Sequence, residues 1–219
     1  MFRFRLLCVL VLSLLVAGPS FSLAAEPPPQ EIARRLQDAY DRTTGFSARF
    51  EQLTTVPMSN RTRKGSGTVV FQKPSRMRWD YQQPEVQVLV SDGSKVSLYV
   101  AASRQLMVRT MDDYLQSDVT YAFFSGRGRI LDDFTVMSAA VQAVPGLYAI
   151  KLQPKKTNPQ VDTLHVWVDQ KQYMIARLEI LDQFGSVTTL HFSNIELNPQ
   201  LPAATFLFTP PPGTEILEQ

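Results

Sequence analysis

Phe46-Ser47-Ala48-Arg49-Phe50-Glu51 and Arg76-Met77-Arg78-Trp79-Asp80-Tyr81 decide how this chain folds. In each stretch large apolar residues alternate with polar or charged ones, the period of two that puts one set of side chains on each face of a β-strand. The alternation recurs along the chain. Eleven strands are expected, beginning near Phe46, Gly65, Arg76, Glu85, Lys95, Gln105, Phe134, Leu147, Thr163, Ile175 and Ser186. Lys73-Pro74-Ser75, Gln83-Pro84, Ser91-Asp92-Gly93, Val144-Pro145-Gly146, Gln153-Pro154, Asn158-Pro159 and Phe184-Gly185 break the runs. Short breaks of this kind join antiparallel neighbours.

Three stretches depart from this period. Ile32, Leu36 and Tyr40 fall at i, i+4 and i+8 with Ala33 and Ala39 beside them, and Arg34, Arg35, Gln37 and Asp38 opposite, which is one amphipathic helix. Pro27-Pro28-Pro29 opens it and Gly45 follows its end. Between Asp112 and Asp133 no period of two survives: Tyr114, Leu115, Val119, Tyr121, Phe123 and Phe124 surround Gly126-Arg127-Gly128. A structureless loop of about 20 residues is uncommon in a compact domain, so one or two short helices are expected there, with Asp112-Asp113 and Asp132-Asp133 as capping residues. Leu201 to Phe206 reads as a short helical turn before an extended segment from Phe206 to Gly213. A long antiparallel sheet curls, and its apolar concave face must be filled or covered. The fold class that follows is mainly β: an unclosed antiparallel β-barrel with an α-helical lid.

Composition narrows the function. With 219 residues, 44% apolar and 19% charged, the chain matches one globular domain. Arg3 and Arg5 precede the uncharged apolar run Leu6 to Gly18, and Ser22-Leu23-Ala24-Ala25 offers small residues for cleavage. That run is shorter than the about 20 residues of a membrane-spanning helix. Residues 1–25 are therefore expected to be a signal peptide and 26–219 a single exported domain. The one cysteine, Cys8, falls in the leader, so disulfides, thiolate metal sites and cysteine nucleophiles are excluded after Ala25. Apart from Arg3 and Arg5, basic and acidic residues balance at twenty each, which removes the global field of a nucleic-acid binder.

Several segments, in this order, resemble the LolA family of periplasmic outer-membrane lipoprotein carriers. They are Gly45 to Gln52, Gly65-Ser66-Gly67, Lys73 to Tyr81, Gln83-Pro84, Val90-Ser91-Asp92-Gly93 and Phe206 to Gly213. The resemblance implies an eleven-stranded half-barrel whose cavity shelters the acyl chains of lipoproteins. It implies a periplasmic monomer with no cofactor. Its partners are acylated lipoproteins, an inner-membrane ABC-type release complex that hands them over, and an outer-membrane acceptor lipoprotein. The acyl-chain cavity falls on Tyr40, Phe46, Phe50, Phe71, Met77, Trp79, Val88, Val90, Leu98, Phe123 and Phe124, with Lys73 controlling the lid. Lys73 stands where the family commonly has arginine, and lysine lacks the forked guanidinium. The insert is also richer in glycine than the family's lid.

Read from periodicity alone, the aromatic set is an ordinary filled core; the resemblance is what makes it a cavity lining. Arg61, Arg63, Lys64, Arg76 and Arg78 concentrate on one hairpin, as a basic patch facing a partner or as a solvated strand face. His165 and His191 are the only histidines; no G-x-S-x-G or H-E-x-x-H accompanies them, so neither a catalytic residue nor a metal site is expected. Two other classes stay open: a lipid- or lipoprotein-sensing module on the same fold, and a hydrolase built on one of the histidines.

Overall fold

The computed structural model describes residues 26–59, 61–117, 128–158 and 160–218. Twelve strands form one sheet: β1 Gly45–Val56, β2 Arg61–Gln72, β3 Arg76–Gln83, β4 Gln87–Asp92, β5 Lys95–Val100, β6 Gln105–Thr110, β7 Phe134–Ser138, β8 Leu147–Pro154, β9 Thr163–Asp169, β10 Ile175–Leu181, β11 Val187–Leu197 and β12 Glu215–Glu218. Their order is β12-β6-β5-β4-β3-β2-β1-β11-β10-β9-β8-β7, so β12 and β7 are free edges and the barrel stays unclosed. The first eleven strands are antiparallel to their neighbours. β12 alone runs parallel, against β6. Among the described residues three α-helices accompany the sheet: α1 Pro29–Arg42, α2 Met111–Ser117 and α3 Ile130–Asp133.

Two expectations are corrected. A twelfth strand exists: Glu215-Ile216-Leu217-Glu218 is too short to display a period, and its pairing comes from the exposed ladder of β6. β2 begins at Arg61, because its first four residues face solvent on both sides and leave no apolar alternation to read.

A close approach bends the sheet. Gly67 on β2 lies opposite Phe50 on β1 and Tyr81 on β3. A Cβ there would fall 1.9 Å from the Asp80 carbonyl oxygen and 3.1 Å from Phe50 Cε1. With no side chain between them, the Phe50 and Tyr81 rings meet edge to face at 4.8 Å. The register also shifts between Ser66 and Gly67, and such a bulge kinks a strand and strengthens its twist.

The curl gives the sheet two unlike faces. Ala48, Val69, Trp79, Leu89 and Leu98 are successive cross-strand partners and line the concave face. Asp80, Val88, Tyr99 and Leu106 form the neighbouring row on the convex face. The C-terminal segment crosses that convex face: the Phe208 ring lies tilted 5.1 Å from that of Tyr99, and Arg78 Nη1 donates to the carbonyls of Thr205 (3.1 Å) and Leu207 (3.3 Å).

Helix α1 covers the concave side. Pro29 stands in its first turn, and Thr43 Oγ1 donates to the Ala39 carbonyl at its end. Ile32, Ala33, Leu36, Ala39 and Tyr40 are buried, while Glu31 accepts from Arg34 and Arg35 on the opposite side. Those guanidiniums hold the Glu31 carboxyl down at about 2. Buried Gln37 accepts from the Ile130 backbone at the start of α3 (2.9 Å), which ties the two helices together. The insert is helical at both ends as expected; Thr110 Oγ1 caps α2 by accepting from the Asp113 backbone (3.2 Å), and of the aspartates Asp133 plays a capping part, its Oδ2 accepting from the Arg129 backbone at the start of α3 (2.7 Å).

Gly67→Ala is expected to lower stability in urea unfolding by about 1–3 kcal/mol, because the added methyl meets backbone that cannot rotate away. An unchanged midpoint would mean that this approach does not shape the sheet.

Candidate functional site

The concave face carries a continuous aromatic wall. Phe46 and Phe71, cross-strand partners on β1 and β2, stack at 5.1 Å. Trp79 stands edge-on to Phe50 at 4.8 Å and to Phe71 at 6.1 Å. Met77, opposite Phe71 on β3, is 0% exposed. Alternation on three adjacent strands aims all five side chains the same way, and each aromatic pair adds about 0.5–1.5 kcal/mol beyond simple burial. The wall continues beyond the residues that sequence reasoning picked out. Phe192 on β11 lies opposite Phe50 and 6.3 Å from Trp79, and Leu190 and Leu178 extend the row across β11 and β10. The alternation of Leu190 and Phe192 was the available signal; their adjacency to β1 comes only from the long-range pairing of β11.

Tyr40 closes this wall. Its ring approaches Phe46 edge-on at 6.0 Å, and its hydroxyl accepts from the backbone N–H of Ile175 at the start of β10. One residue of α1 thus spans the two halves of the sheet. Burial pushes its phenol well above the usual range. Lys73, just after β2, is brought to the same place: its Nζ donates to the Tyr40 carbonyl and, at 3.4 Å, to that of Asp41. A cation over the last carbonyls of a helix satisfies groups that have no partner inside it and complements the helix dipole. Burial pulls the Lys73 ammonium below its ordinary value, with Asp41 opposing. Its partner is therefore the C-terminal end of α1.

The structure redistributes the other residues singled out by sequence. Tyr40, Phe46, Phe50, Phe71, Met77 and Trp79 are together on the concave face, and Leu98 joins their row through Leu89. Val88 and Val90 are not there: they lie on the convex face, packed with Tyr99 and Leu106 beneath Phe208. The run Val88-Leu89-Val90 is apolar throughout because the C-terminal segment buries its outer face as well, so alternation could not tell the two faces apart. Phe123 and Phe124 fall outside the described residues. The basic patch also divides. Arg61, Arg63 and Lys64 are exposed at the far end of β2, about 30 Å along the strand from Arg76. Arg78 is held by Asp80 and by the C-terminal carbonyls, so it anchors the chain's own segment. Arg76 is half-buried beside Gln72.

At the arm formed by β1 and β2 the concave face turns polar. Gln52, Thr54, Arg63, Tyr81 and Gln87 line a cleft of about 860 Å³, in which Tyr81 donates to Gln52 (2.9 Å) and Thr54 pairs with Thr188 (3.0 Å). Both histidines lie on the convex face. His165 Nδ1 is 3.0 Å from Glu179, and Arg177 covers the Trp167 ring at 4.1 Å. His191 sits between its cross-strand partners Arg177 and Glu51. Among the described residues no cluster of metal-binding side chains occurs, and no helix is long and apolar enough to cross a membrane.

The sequence pattern of the outer membrane lipoprotein carrier protein LolA matches residues 41–209. The chain belongs to the LolA family. It is 32% identical to the outer-membrane lipoprotein carrier protein of Nitrosomonas europaea over 214 residues, covering 97% of this chain and 98% of that one. It is 33% identical to the carrier of the same name in Leptothrix cholodnii over 184 residues, or 84% of each chain. In three dimensions it is similar to a conserved protein of Thermus thermophilus, with a TM-score of 0.56 at 13% identity over 87% of this chain and 98% of the other. This is a family of carriers.

His191 supplies a pH test. Burial, and next the charge of Arg177, lower its pKa, so the folded state binds the proton less readily than the unfolded chain. Stability is then full above the unfolded histidine value of about 6.5 and declines as pH falls through it toward the lower folded value. His191→Gln is expected to flatten that decline in thermal unfolding. An equally steep decline in the variant would assign the effect to other groups.

Proposed function

We propose that this protein is a periplasmic carrier that shelters the acyl chains of lipoproteins against its concave aromatic wall and moves them from the inner to the outer membrane. Residues 1–25 would serve as the export signal. An ABC-type release complex would supply the cargo, and an outer-membrane acceptor would take it.

The observation that carries this reading is the manner in which the wall is closed. Tyr40 reaches over it at Phe46 while the rest of α1 packs against β7, β8 and α3, mainly by side-chain contact and with few polar ties among the described residues: Lys73 to the last carbonyls of α1, Tyr40 to Ile175, Gln30 to the Val136 carbonyl and Arg35 to Tyr173. Acyl chains offer the same kind of contact. An acyl chain can therefore lie along Phe46, Phe71 and Trp79, displacing Tyr40, without stranding the backbone hydrogen bonds of the sheet. Methionine and aromatic side chains adapt to chains of differing shape. The polar cleft beside Gln52 and Tyr81 would receive the glyceryl and peptide end of the cargo, which must stay hydrated.

The magnitudes fit a carrier that also releases. Each buried methylene contributes about 0.8 kcal/mol, so several acyl chains could gain tens of kcal/mol. Displacing Tyr40 and its neighbours from the wall offsets a large part of that gain, which keeps transfer reversible. Lys73 sets the balance by stabilising the covered state.

The test is transfer of a triacylated lipoprotein from inner-membrane vesicles, through the soluble protein, to acceptor membranes. Wild type is expected to form a soluble one-to-one complex and to pass the cargo on. Retention of lipid without transfer would favour a sensing module, and absence of any soluble complex would reject the carrier reading. Lys73→Leu is expected to slow release about tenfold, the effect of about 1.4 kcal/mol lost from the covered state, whereas Lys73→Arg keeps it. Unaltered release by Lys73→Leu would remove Lys73 from lid control.

A further inference from the structure

Two exposed apolar side chains stand together where the β-sheet needs neither. Met58, in the turn Pro57–Ser59 between β1 and β2, is 90% exposed, and Phe184, in the turn between β10 and β11, is 74% exposed. Because Thr55 on β1 pairs with Val187 on β11, the two turns are neighbours on one rim. A Cβ placed on Gly185 would lie 3.9 Å from Pro57 Cγ.

The Phe184 turn is built, not frayed. Asp182 Oδ1 accepts from the backbones of Phe184 and Ser186, both at 2.8 Å, and Gly185 takes φ +80°. This turn would form as well with a polar residue at 184, so folding does not account for the phenylalanine.

Cations stand directly behind these tips. Arg61, Arg63 and Lys64 are exposed, and the segment from Leu53 to Lys64 contains no acidic residue. None of the three forms an ion pair among the described residues. Alternation sends Arg61 and Arg63 to one face of the arm and Lys64 to the other. Charge on both faces behind two narrow apolar points suits a surface that presents anions all round an inserted tip. A folded partner would offer its charge on one side.

We propose that these two turns form a contact site for an anionic phospholipid surface, with Met58 and Phe184 entering the boundary between headgroups and acyl chains and Arg61, Arg63 and Lys64 meeting the phosphates. Apolar tips backed by basic residues gain from both, and the electrostatic part weakens as salt screens it. The site lies outside the aromatic wall and adds membrane docking to the carrier reading without depending on it.

Flotation with vesicles of phosphatidylglycerol or of phosphatidylcholine, free of lipoprotein, tests this. The full chain is expected to float with phosphatidylglycerol vesicles at low salt, much less with phosphatidylcholine, and to be released as the Debye length falls to about 3 Å in 1 M salt. The double variant Met58→Ser, Phe184→Ser and the triple variant Arg61→Gln, Arg63→Gln, Lys64→Gln should each lose at least about tenfold in partitioning. Circular dichroism of both variants, and binding of a diacylated peptide by Met58→Ser, Phe184→Ser, whose two residues lie outside the polar cleft, should remain unchanged, which separates loss of docking from loss of fold or of cargo binding. No flotation of the wild type, or undiminished flotation of the double variant, overturns the proposal. So does binding to a detergent-solubilised membrane protein without binding to vesicles, which would assign the tips to a protein partner. If the wild type floats but binds no diacylated peptide, the carrier reading fails and the docking site stands.

Discussion

The close approach of backbone at Gly67 is the constraint on which the rest of the structure depends. Phe50 and Tyr81 can meet across β2 only because no side chain lies between them, and the sheet bends where they meet. A flatter sheet would spread Phe46, Phe71, Trp79 and Phe192 along a plane too broad for one helix to cover. Curled, it gathers them into a wall that α1 closes, with Tyr40 reaching from Phe46 to the backbone of Ile175. The bend also separates the fates of the two faces. The concave side takes a helix that packs by its side chains. The convex side takes the C-terminal segment, held by Arg78 and by the Tyr99–Phe208 contact and ended by the parallel pairing of β12 with β6.

These two covers differ physically, and the difference bears on function. The convex cover is tied by backbone hydrogen bonds along β12 and by a guanidinium that accepts no substitute geometry. The concave cover relies on apolar contact plus a few polar ties, the most direct being the Lys73 ammonium on the carbonyls that end α1. Apolar contact is non-directional, so another apolar body can replace it, whereas a strand ladder cannot be exchanged for an acyl chain. A structure intended only to be stable would gain from tying both covers alike.

Much of this was legible in the sequence, and the rest was hidden for identifiable reasons. Met77, Trp79 and Tyr81 alternate with Arg78 and Asp80, which placed β3 and its inner face, and the order of the strands' neighbours followed from short turns. Tyr40 at the end of a helical stripe marked the cover. Val88 and Val90 face outward, which local sequence does not show because both sides of β4 are buried and no local pattern announces that a segment more than a hundred residues away covers the outer one. β12 was missed because four residues show no period. Phe192 belongs to the wall through the pairing of β1 with β11, a contact between the two ends of the sequence. Alternation makes Arg78 a surface cation, and only the fold brings the carbonyls of Thr205 and Leu207 beside it.

The central claim is that acyl chains lie on the aromatic wall in place of Tyr40, and the two tryptophans allow it to be read directly. Trp79 is on the wall, while Trp167 is 3% exposed on the opposite face beneath Arg177. In a Trp167→Phe variant the fluorescence reports Trp79 alone. Titration with a diacylated lipopeptide should shift its emission saturably at one lipopeptide per protein, and the same peptide without acyl chains should leave it unchanged. Saturable binding of the lipopeptide with no change at Trp79 would contradict the account, because the acyl chains would then lie somewhere other than this wall.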